Sequence, residues 1–529
     1  MTPSPHTLGT YISLMLAEYG VDTVFGIPGV HTIELYRGIE QAGLRHITPR
    51  HEQGAGFMAD GYARISGKPG VAYIISGPGM TNILTAMGQA YGDSIPMLVI
   101  SAVNAQGRMG SGEGWLHELP DQRQLVAGCS AFSRSVHTPA EMERAIHDAF
   151  SVFGGQRPRP VHIEIPVNLL SVPVMMEPKA AARAFPPAPS QETAAAVSAK
   201  LAAAERPLIL AGGGAVRAGI MPLAEQLNAP VVMTTNGRGI MPPGHPLGVP
   251  ISPSMPKTRD LIAAADCVLA IGTELGPTDY DFYEDGGFAI PGFLIRVDLD
   301  ARQASRPFAA DMAVIAEAGA TVAALMPHLQ KSASIDGETR AAAARDDLSL
   351  LEDHFRSDIA LLDDLREALP DAPMIGDSTQ LTYAGNIGFA ASRPGYYFNS
   401  ATGFGTLGYG LPAAIGAAVA HGGPVICLTG DGGLQFCLAE MASAREIDAP
   451  VIMVLHDNKG YGEIKSFMQA HQMPPLGVDI YTPDLKAMAK ACGWDVLTPD
   501  RQGLGAAMKK AAAIGGPVMV YLDDATRRG

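Results

Sequence analysis

The run Gly430-Asp431-Gly432-Gly433 closes the apolar stretch VICLT, and Asp457-Asn458-Lys459-Gly460-Tyr461-Gly462 closes the next one, PVIMVLH. Glycines let a backbone approach a ligand closely, and a helix opening at such a turn offers free N–H groups to an anion. Asp431 is a hard oxygen ligand suited to Mg²⁺; Asn458 would supply a second oxygen and the Gly460 carbonyl a third. Two adjacent parallel strands would thus hold one metal between them, bridging to diphosphate oxygens, with Gly430, Gly432, Gly433, Tyr461 and Gly462 completing the cradle. A second run, Arg50-His51-Glu52-Gln53, opens a helical pattern that continues to Arg64. Read alone, Glu52 is an acid at a helix N-terminus, favoured by the dipole and ordinarily solvated. His31, in PGVHTIE, and His117 are candidate proton relays; a turn histidine with no chemical role is the equal alternative for each.

These runs follow short, continuous apolar stretches, and such stretches recur along the chain with helical patterns between them. VAYIIS (71–76), MLVIS (97–101) and VHIEIP (161–166) are predicted strands of the first block. LILAG (208–212), PVVMTT (230–235), CVLAIG (267–272) and LIRVDL (294–299) belong to the second, and PVICLTGDG (424–432), PVIMVLHDN (450–458) and PVMVYLD (517–523) to the third. Strands apolar on both faces, alternating with helices, mean parallel sheets covered on both sides, with ligands at the carboxyl ends of the strands. The fold class is therefore α/β, with three doubly wound parallel-sheet domains. The Pro-rich stretch 171–193 and the polar stretch 329–347, whose Ala-rich end could start a helix, separate domains at 1–175, 190–330 and 348–529. In the middle domain LAGGGAV (210–216) looks like the start of a dinucleotide site but fails the GxGxxG spacing at Arg217. Asp298 and Asp300 could reach a ribose, yet a structural role is preferred there over FAD or another nucleotide.

Composition narrows the classes. Hydrophobic residues make up 47 % and charged residues 17 % of 529, so a large core forms and disorder is excluded. With 38 Lys and Arg against 53 Asp and Glu, the net charge is −15 and no basic run occurs, which argues against nucleic acid and anionic membrane as partners. No apolar stretch is long enough to span a membrane, and the N-terminus lacks the basic start and cleavage pattern of a signal peptide. Five scattered cysteines fit neither a disulfide framework nor a CxxC metal site and point to a reducing cytoplasm.

The GDG run followed at this distance by an Asn-bearing turn resembles the motif of the thiamine-diphosphate-dependent enzymes. Their motif ends in Asn-Asn; here Asp457 replaces the first Asn, and Asn458, at the metal-ligand position, is kept. The segment from Arg50 to Arg64, with VFGIPG (24–29) before it and SGPGMTN (76–82) after it, is similar to the family's RHE-x-x-A-x-x-MADGYAR region. A third match is GFGTLGYGLPAA (403–414). The resemblance implies thiamine diphosphate and Mg²⁺ as cofactors, Glu52 as a buried acid bonded to the aminopyrimidine ring, Leu407 as the apolar wedge that bends the cofactor, and Asp377 among the cofactor-binding residues. It also implies a homodimer or homotetramer with active sites at the subunit interface, the first domain binding the pyrimidine and the third the diphosphate.

Within the family the chain is most like the acetolactate synthase group, with departures at Ser130-Ala131, Glu463 and Phe467, where that group tends to have Thr-Lys, Met and Trp. A carboxylate in a substrate pocket is costly unless paired; a cationic substrate tail would pair Glu463, and a guanidinium would do so bidentately. Glu113 and Glu118, in the loop 108–118, and the acidic, aromatic segment Thr278–Asp285 add negative charge, with a solvated surface loop the alternative for 279–285. Together with Gly376-Asp377-Ser378-Thr379-Gln380 these segments resemble the 5-guanidino-2-oxopentanoate decarboxylases. The expected activity is decarboxylation of a small-molecule 2-oxo acid with a guanidinium tail to an aldehyde and CO₂. The alternative is an acetolactate synthase-type carboligase that joins two 2-oxo acids.

Overall fold

The computed structural model describes residues 6–182, 185–282, 284–330 and 332–528. Three six-stranded parallel sheets, each flanked by helices, follow one another along the chain. The first orders its strands Arg45–Ile47, Thr23–Gly26, Gly70–Ile74, Met97–Val103, Val161–Pro166 and Phe132–Ser135. The third orders its own Tyr397–Asn399, Met374–Gly376, Val425–Gly430, Val451–Asp457, Val518–Asp523 and Asp495–Leu497, which is the same topology. The middle sheet runs Gly248–Val249, Val231–Met233, Pro207–Ala211, Cys267–Ile271, Phe293–Asp298 and Met312–Ile315, a classical dinucleotide-fold order. The central strands of all three are buried, apart from half-buried Gly430 at the end of Val425–Gly430, as their apolar runs require. The edge strands are short and partly polar, and periodicity did not mark them: Phe132–Ser135 is half-buried throughout, and Asp495–Leu497 begins with an exposed residue.

In the third sheet Gly376 pairs with Leu428 and Gly430 with His456, so the ends of Met374–Gly376, Val425–Gly430 and Val451–Asp457 lie side by side. The turns that follow these strands carry Asp377, Asp431 and Asn458. The first and third domains pack on each other through the helices Glu52–Ser66 and Gly410–His421. A Cβ on Gly61 would lie 2.0 Å from the Ala413 carbonyl oxygen, and one on Gly416 1.8 Å from that of Met58, so two glycines permit backbone to meet backbone. A buried polar cluster fastens the same contact. Arg64 pairs with Asp60 at 2.7 Å and Asp93 at 2.6 Å, Tyr409 donates to Asp60 at 2.6 Å, and Thr402 donates to Asp93 at 2.9 Å.

One helix expectation changes and another holds. The pattern LQFCLAEMASAREI after Gly433 reads as one helix, but the chain forms two single turns, Asp431–Leu434 and Glu440–Ser443. Bonds to the third preceding residue join them, as from Phe436 to Gly433 and from Glu440 to Cys437. The Gly432-Gly433 pair makes a poor helix start, and the tighter winding brings Glu440 against the first domain. The polar stretch 329–347 does start a helix, Gly337–Arg345, but it is folded onto the middle domain: Arg340 donates to the Pro207 carbonyl at 3.2 Å, and Asp347 accepts from the Lys257 and Thr258 amides at 3.0 and 2.9 Å. No helix among the described residues is long and apolar enough to cross a membrane, and the five cysteines are free.

Candidate active site

The cradle of the third domain is built where three strands end. Asp431 is 1 % exposed; its Oδ2 accepts the Thr482 hydroxyl at 2.8 Å and its Oδ1 the Asn458 amide N–H at 3.3 Å. The Asn458 side-chain oxygen lies 2.8 Å from the Gly460 carbonyl oxygen and 3.1 Å from Asp431 Oδ1, while its NH₂ donates to Gln380 Oε1 at 3.3 Å. Three oxygens thus converge, with Asp431 the charged one. Such a set repels itself unless the Asn458 amide turns over to donate to both neighbours, or a small divalent cation sits among them. The donor set fits Mg²⁺. Gly460 has φ 151° and a Cβ there would lie 2.3 Å from the Val478 carbonyl, so only glycine presents this carbonyl inward. Asp457, at the position that departs from the family motif, holds the turn: it accepts the Lys459 N–H at 3.1 Å and the Tyr521 hydroxyl at 2.7 Å, and pairs with the Lys459 ammonium. The Tyr461 ring lies over Gly432, where a Cβ would sit 2.8 Å from it. Burial pushes the Asp431 carboxyl up, against the Thr482 hydroxyl bond.

Asp377 lies beneath this cradle, fully buried, and faces the backbone. Its oxygens accept the N–H groups of Ser378 at 2.8 Å, Gly408 at 3.2 Å and Gly410 at 3.0 Å. Its bonds fix the loop that carries Leu407. On the other side of Leu407, Thr406 bonds through both its N–H and its hydroxyl to Gln89 Oε1, at 3.3 and 3.0 Å. Leu407, half-buried, is thus presented from a loop pinned on both sides. Burial pushes Asp377 up to about 6, against the backbone N–H groups. A carboxyl raised above its ordinary 3.8 binds its proton more tightly folded than unfolded. Its contribution to stability is therefore full at low pH and lost as pH rises through about 6. The apparent melting temperature of the wild type, measured against that of Asp377→Asn, is expected to fall as pH rises from about 4 to about 7. A pH-independent difference would show that Asp377 does not titrate in this window.

In the first domain the loops after successive strand ends converge on Gly77. The His31 Nδ1 bonds Ser76 Oγ at 2.7 Å, and the His31 and His117 rings meet edge to face at 5.3 Å. The sequence candidates His31 and His117, 86 positions apart, are therefore one pair. His117 stands at φ 59°, unusual for a side chain of its size, with its backbone against Gly77 and its Nδ1 buried without a hydrogen-bond partner among the described residues. Burial, with the His117 ring beside it, holds the His31 imidazole below its ordinary value. Glu52 begins the helix Glu52–Ser66, capped by His51, whose Nδ1 accepts the Gln53 N–H at 3.1 Å. Its Oε2 accepts from Asn82 Nδ2 at 2.9 Å. Glu52 is half-buried in the single chain, not buried as expected. Among the described residues no hydrogen bond joins Glu52 to the Asp431 cradle.

The acidic segments divide. Glu463 is exposed on the first turn of Gly462–Ala470, and Gln380 Nε2 reaches its Oε2 at 3.5 Å. Gln380 Oε1 receives Asn458 and, at 2.8 Å, Arg527, so one amide links the Asp431–Asn458 cradle, the C-terminal helix and Glu463. Gln380 and Asn82 lie in runs that the sequence marked by family resemblance but were given no role of their own there, and Thr482 was not marked at all. Glu113 is exposed and accepts from Trp115 Nε1 at 2.9 Å, with the Arg108 guanidinium 3.8 Å from that ring's centroid. Glu118 is used within its loop, accepting the N–H groups of Gly112, Gly114 and Trp115 and the Ser111 hydroxyl. The segment 278–285 folds on the middle domain: Asp279 accepts the Thr235 N–H at 2.9 Å, and Arg259 pairs with Asp281 and Asp285 at 2.9 and 2.6 Å. Asp279, Asp281 and Asp285 are thus held within the protein, while Glu284 is exposed; Tyr283 lies outside the described residues. In the middle domain Gly212 and Gly214 pack against Gly272, and Asp298 accepts the Asp300 N–H at 2.8 Å. A cavity of about 520 Å³ lies beside them, with the Arg157–Glu274 ion pair on its wall.

Comparison with known proteins agrees with this layout. Family models match residues 6–125 as the N-terminal thiamine pyrophosphate binding domain of the thiamine pyrophosphate enzymes, 194–325 as their central domain and 377–522 as their C-terminal thiamine pyrophosphate binding domain. A probable 2-ketoarginine decarboxylase of Pseudomonas aeruginosa is 44 % identical over 503 residues, 93 % of this chain and 89 % of that one. The acetolactate synthase isozyme 1 large subunit of Escherichia coli is 29 % identical over 93 % of this chain and 88 % of its own. A probable acetolactate synthase large subunit of Methanocaldococcus jannaschii is 30 % identical over 85 % and 80 %. With all three domains matched and this degree of identity over nearly the whole chain, the protein belongs to the thiamine pyrophosphate enzymes.

Proposed function

We propose that this protein is a Mg²⁺- and thiamine-diphosphate-dependent decarboxylase of 5-guanidino-2-oxopentanoate, the 2-oxo acid of arginine, and releases CO₂ and an aldehyde. When bound, thiamine diphosphate supplies the electron sink that side chains lack for breaking the bond to the carboxylate. The protein's own residues do the rest. Asp431, Asn458 and the Gly460 carbonyl hold the metal and, with the amides at Gly432 and Gly433, the diphosphate. Leu407 presses on the cofactor from its pinned loop. Glu52, oriented by Asn82, holds a proton at the aminopyrimidine nitrogen. His31 and His117 are placed as a pair to pass protons to and from the reacting carbon. The separate locations of Glu52 and the cradle support a homodimer or homotetramer with shared sites, and the free thiols support a cytoplasmic protein. The middle domain is read as structural, because its glycines are used in packing.

The substrate assignment rests on Glu463, an exposed carboxylate one amide away from the metal ligand Asn458. The name of the Pseudomonas relative agrees with this assignment. A guanidinium paired there replaces water with charge-assisted bonds. CO₂ release with 5-guanidino-2-oxopentanoate is expected to exceed that with pyruvate at equal concentration. Glu463→Gln is expected to raise KM for the guanidino acid about tenfold to a hundredfold and to leave pyruvate unaffected. A preference for pyruvate, with formation of a 2-hydroxy-2-methyl-3-oxo acid, would favour the carboligase reading, which the acetolactate synthase relatives keep in view.

A further inference from the structure

Glu440 lies in the short helix Glu440–Ser443 of the third domain, 1 % exposed. Its Oε1 accepts the backbone N–H groups of Arg50 and His51 at 3.0 and 3.1 Å. Its Oε2 accepts the Arg50 N–H again at 3.1 Å and the Ser443 hydroxyl at 2.7 Å. The two amides are the last before Glu52, which opens the helix Glu52–Ser66. Gly54 leaves room for the carboxylate, since a Cβ there would sit 2.2 Å from Oε1. The Arg50 guanidinium, held by Glu446 at 3.1 Å and by the Thr48 carbonyl at 3.0 Å, adds positive charge nearby.

A buried carboxylate is unfavourable unless its lone pairs are met, and here backbone and hydroxyl donors meet them. An apolar side chain would fill the same space at less cost. Only a polar acceptor, here Oε1, also fixes the direction of two successive N–H bonds, while Oε2 is anchored by the Ser443 hydroxyl. Those bonds set the peptide planes that lead into the Cα of Glu52, so a carboxylate of the third domain aims an acid of the first.

We propose that Glu440 is a positioning residue for Glu52. The inference deepens the functional reading above and rests on Glu52 being the acid that faces the aminopyrimidine. The test is the rate at which the cofactor's thiazolium C2 proton exchanges with deuterium in the loaded enzyme without substrate, followed by NMR after quenching. Cofactor affinity is read separately from quenching of intrinsic fluorescence. For Glu440→Leu, which removes both acceptor oxygens, the exchange rate is expected to fall about tenfold or more, the effect of a small misplacement of a reacting group, with cofactor affinity unchanged. Ser443→Ala, which removes one of the bonds to Glu440 and is the milder change, is expected to lower exchange less but measurably. Exchange at the wild-type rate in both variants, with the cofactor bound, would overturn the proposal while Glu52→Gln still abolishes exchange. Wild-type exchange in Glu52→Gln would instead overturn the reading of Glu52, and the proposal with it.

Discussion

Glu52→Gln is expected to lower kcat for CO₂ release by about 10²–10⁴-fold, the usual range for losing a positioned acid–base group. The amide keeps the shape of the acid, and Asn82 can still donate to its oxygen, so the site geometry survives. What is lost is the ability to share a proton with the aminopyrimidine nitrogen. The side chain is half-buried at a helix start whose N-cap bond comes from His51, so the fold does not depend on it. Turnover at saturating cofactor, with far-ultraviolet circular dichroism to check folding, measures the effect. Undiminished turnover would show that the activating acid lies elsewhere.

Asp431→Ala is expected to weaken Mg²⁺-dependent binding of thiamine diphosphate by at least about a hundredfold, more than the tenfold to hundredfold typical of partners one shell further out. Asp431 is the charged member of the converging oxygens; Asn458 and the Gly460 carbonyl are neutral dipoles. Removing the charge leaves the cation facing diphosphate with no protein anion beside it. Equilibrium dialysis of the cofactor with and without EDTA reads this out. Thr482→Val should cost less, because the Thr482 hydroxyl only orients the carboxylate through its 2.8 Å bond. Retention of Mg²⁺-dependent cofactor binding in Asp431→Ala would exclude the cradle as the metal site.

The strand-end turns were legible because glycine, aspartate and asparagine directly after an apolar run have few other uses. The three α/β domains followed from periodicity, and the proposed metal cradle and Glu52 were read from local chemistry and a family resemblance carried by contiguous motifs. Asp377 shows where this stops. The family resemblance places it among the cofactor-binding residues, but only the structure shows that it accepts the Gly408 and Gly410 amides, which lie more than thirty positions away in sequence. Asp279, Asp281 and Asp285 likewise looked free and are held by the Thr235 amide and Arg259. Thr482 carries no local signal at all, since it meets Asp431 from an irregular segment 51 residues away.

The chain's order of apolar runs, helical patterns and turn residues was enough to set which elements form and which turns lie at the ligand-bearing edge of each sheet, because those depend on periodicity and on backbone chemistry within a few residues. Which polar groups are used up inside the protein, and which remain for a ligand, was decided only in three dimensions. The pairing of His31 with His117, the use of Asp377 for its loop and the grip of Glu440 on the turn before Glu52 all depend on how separate sheets and helices pack. A hydrogen bond's worth lies in distance and direction, and neither is written in the spacing of residues along a chain.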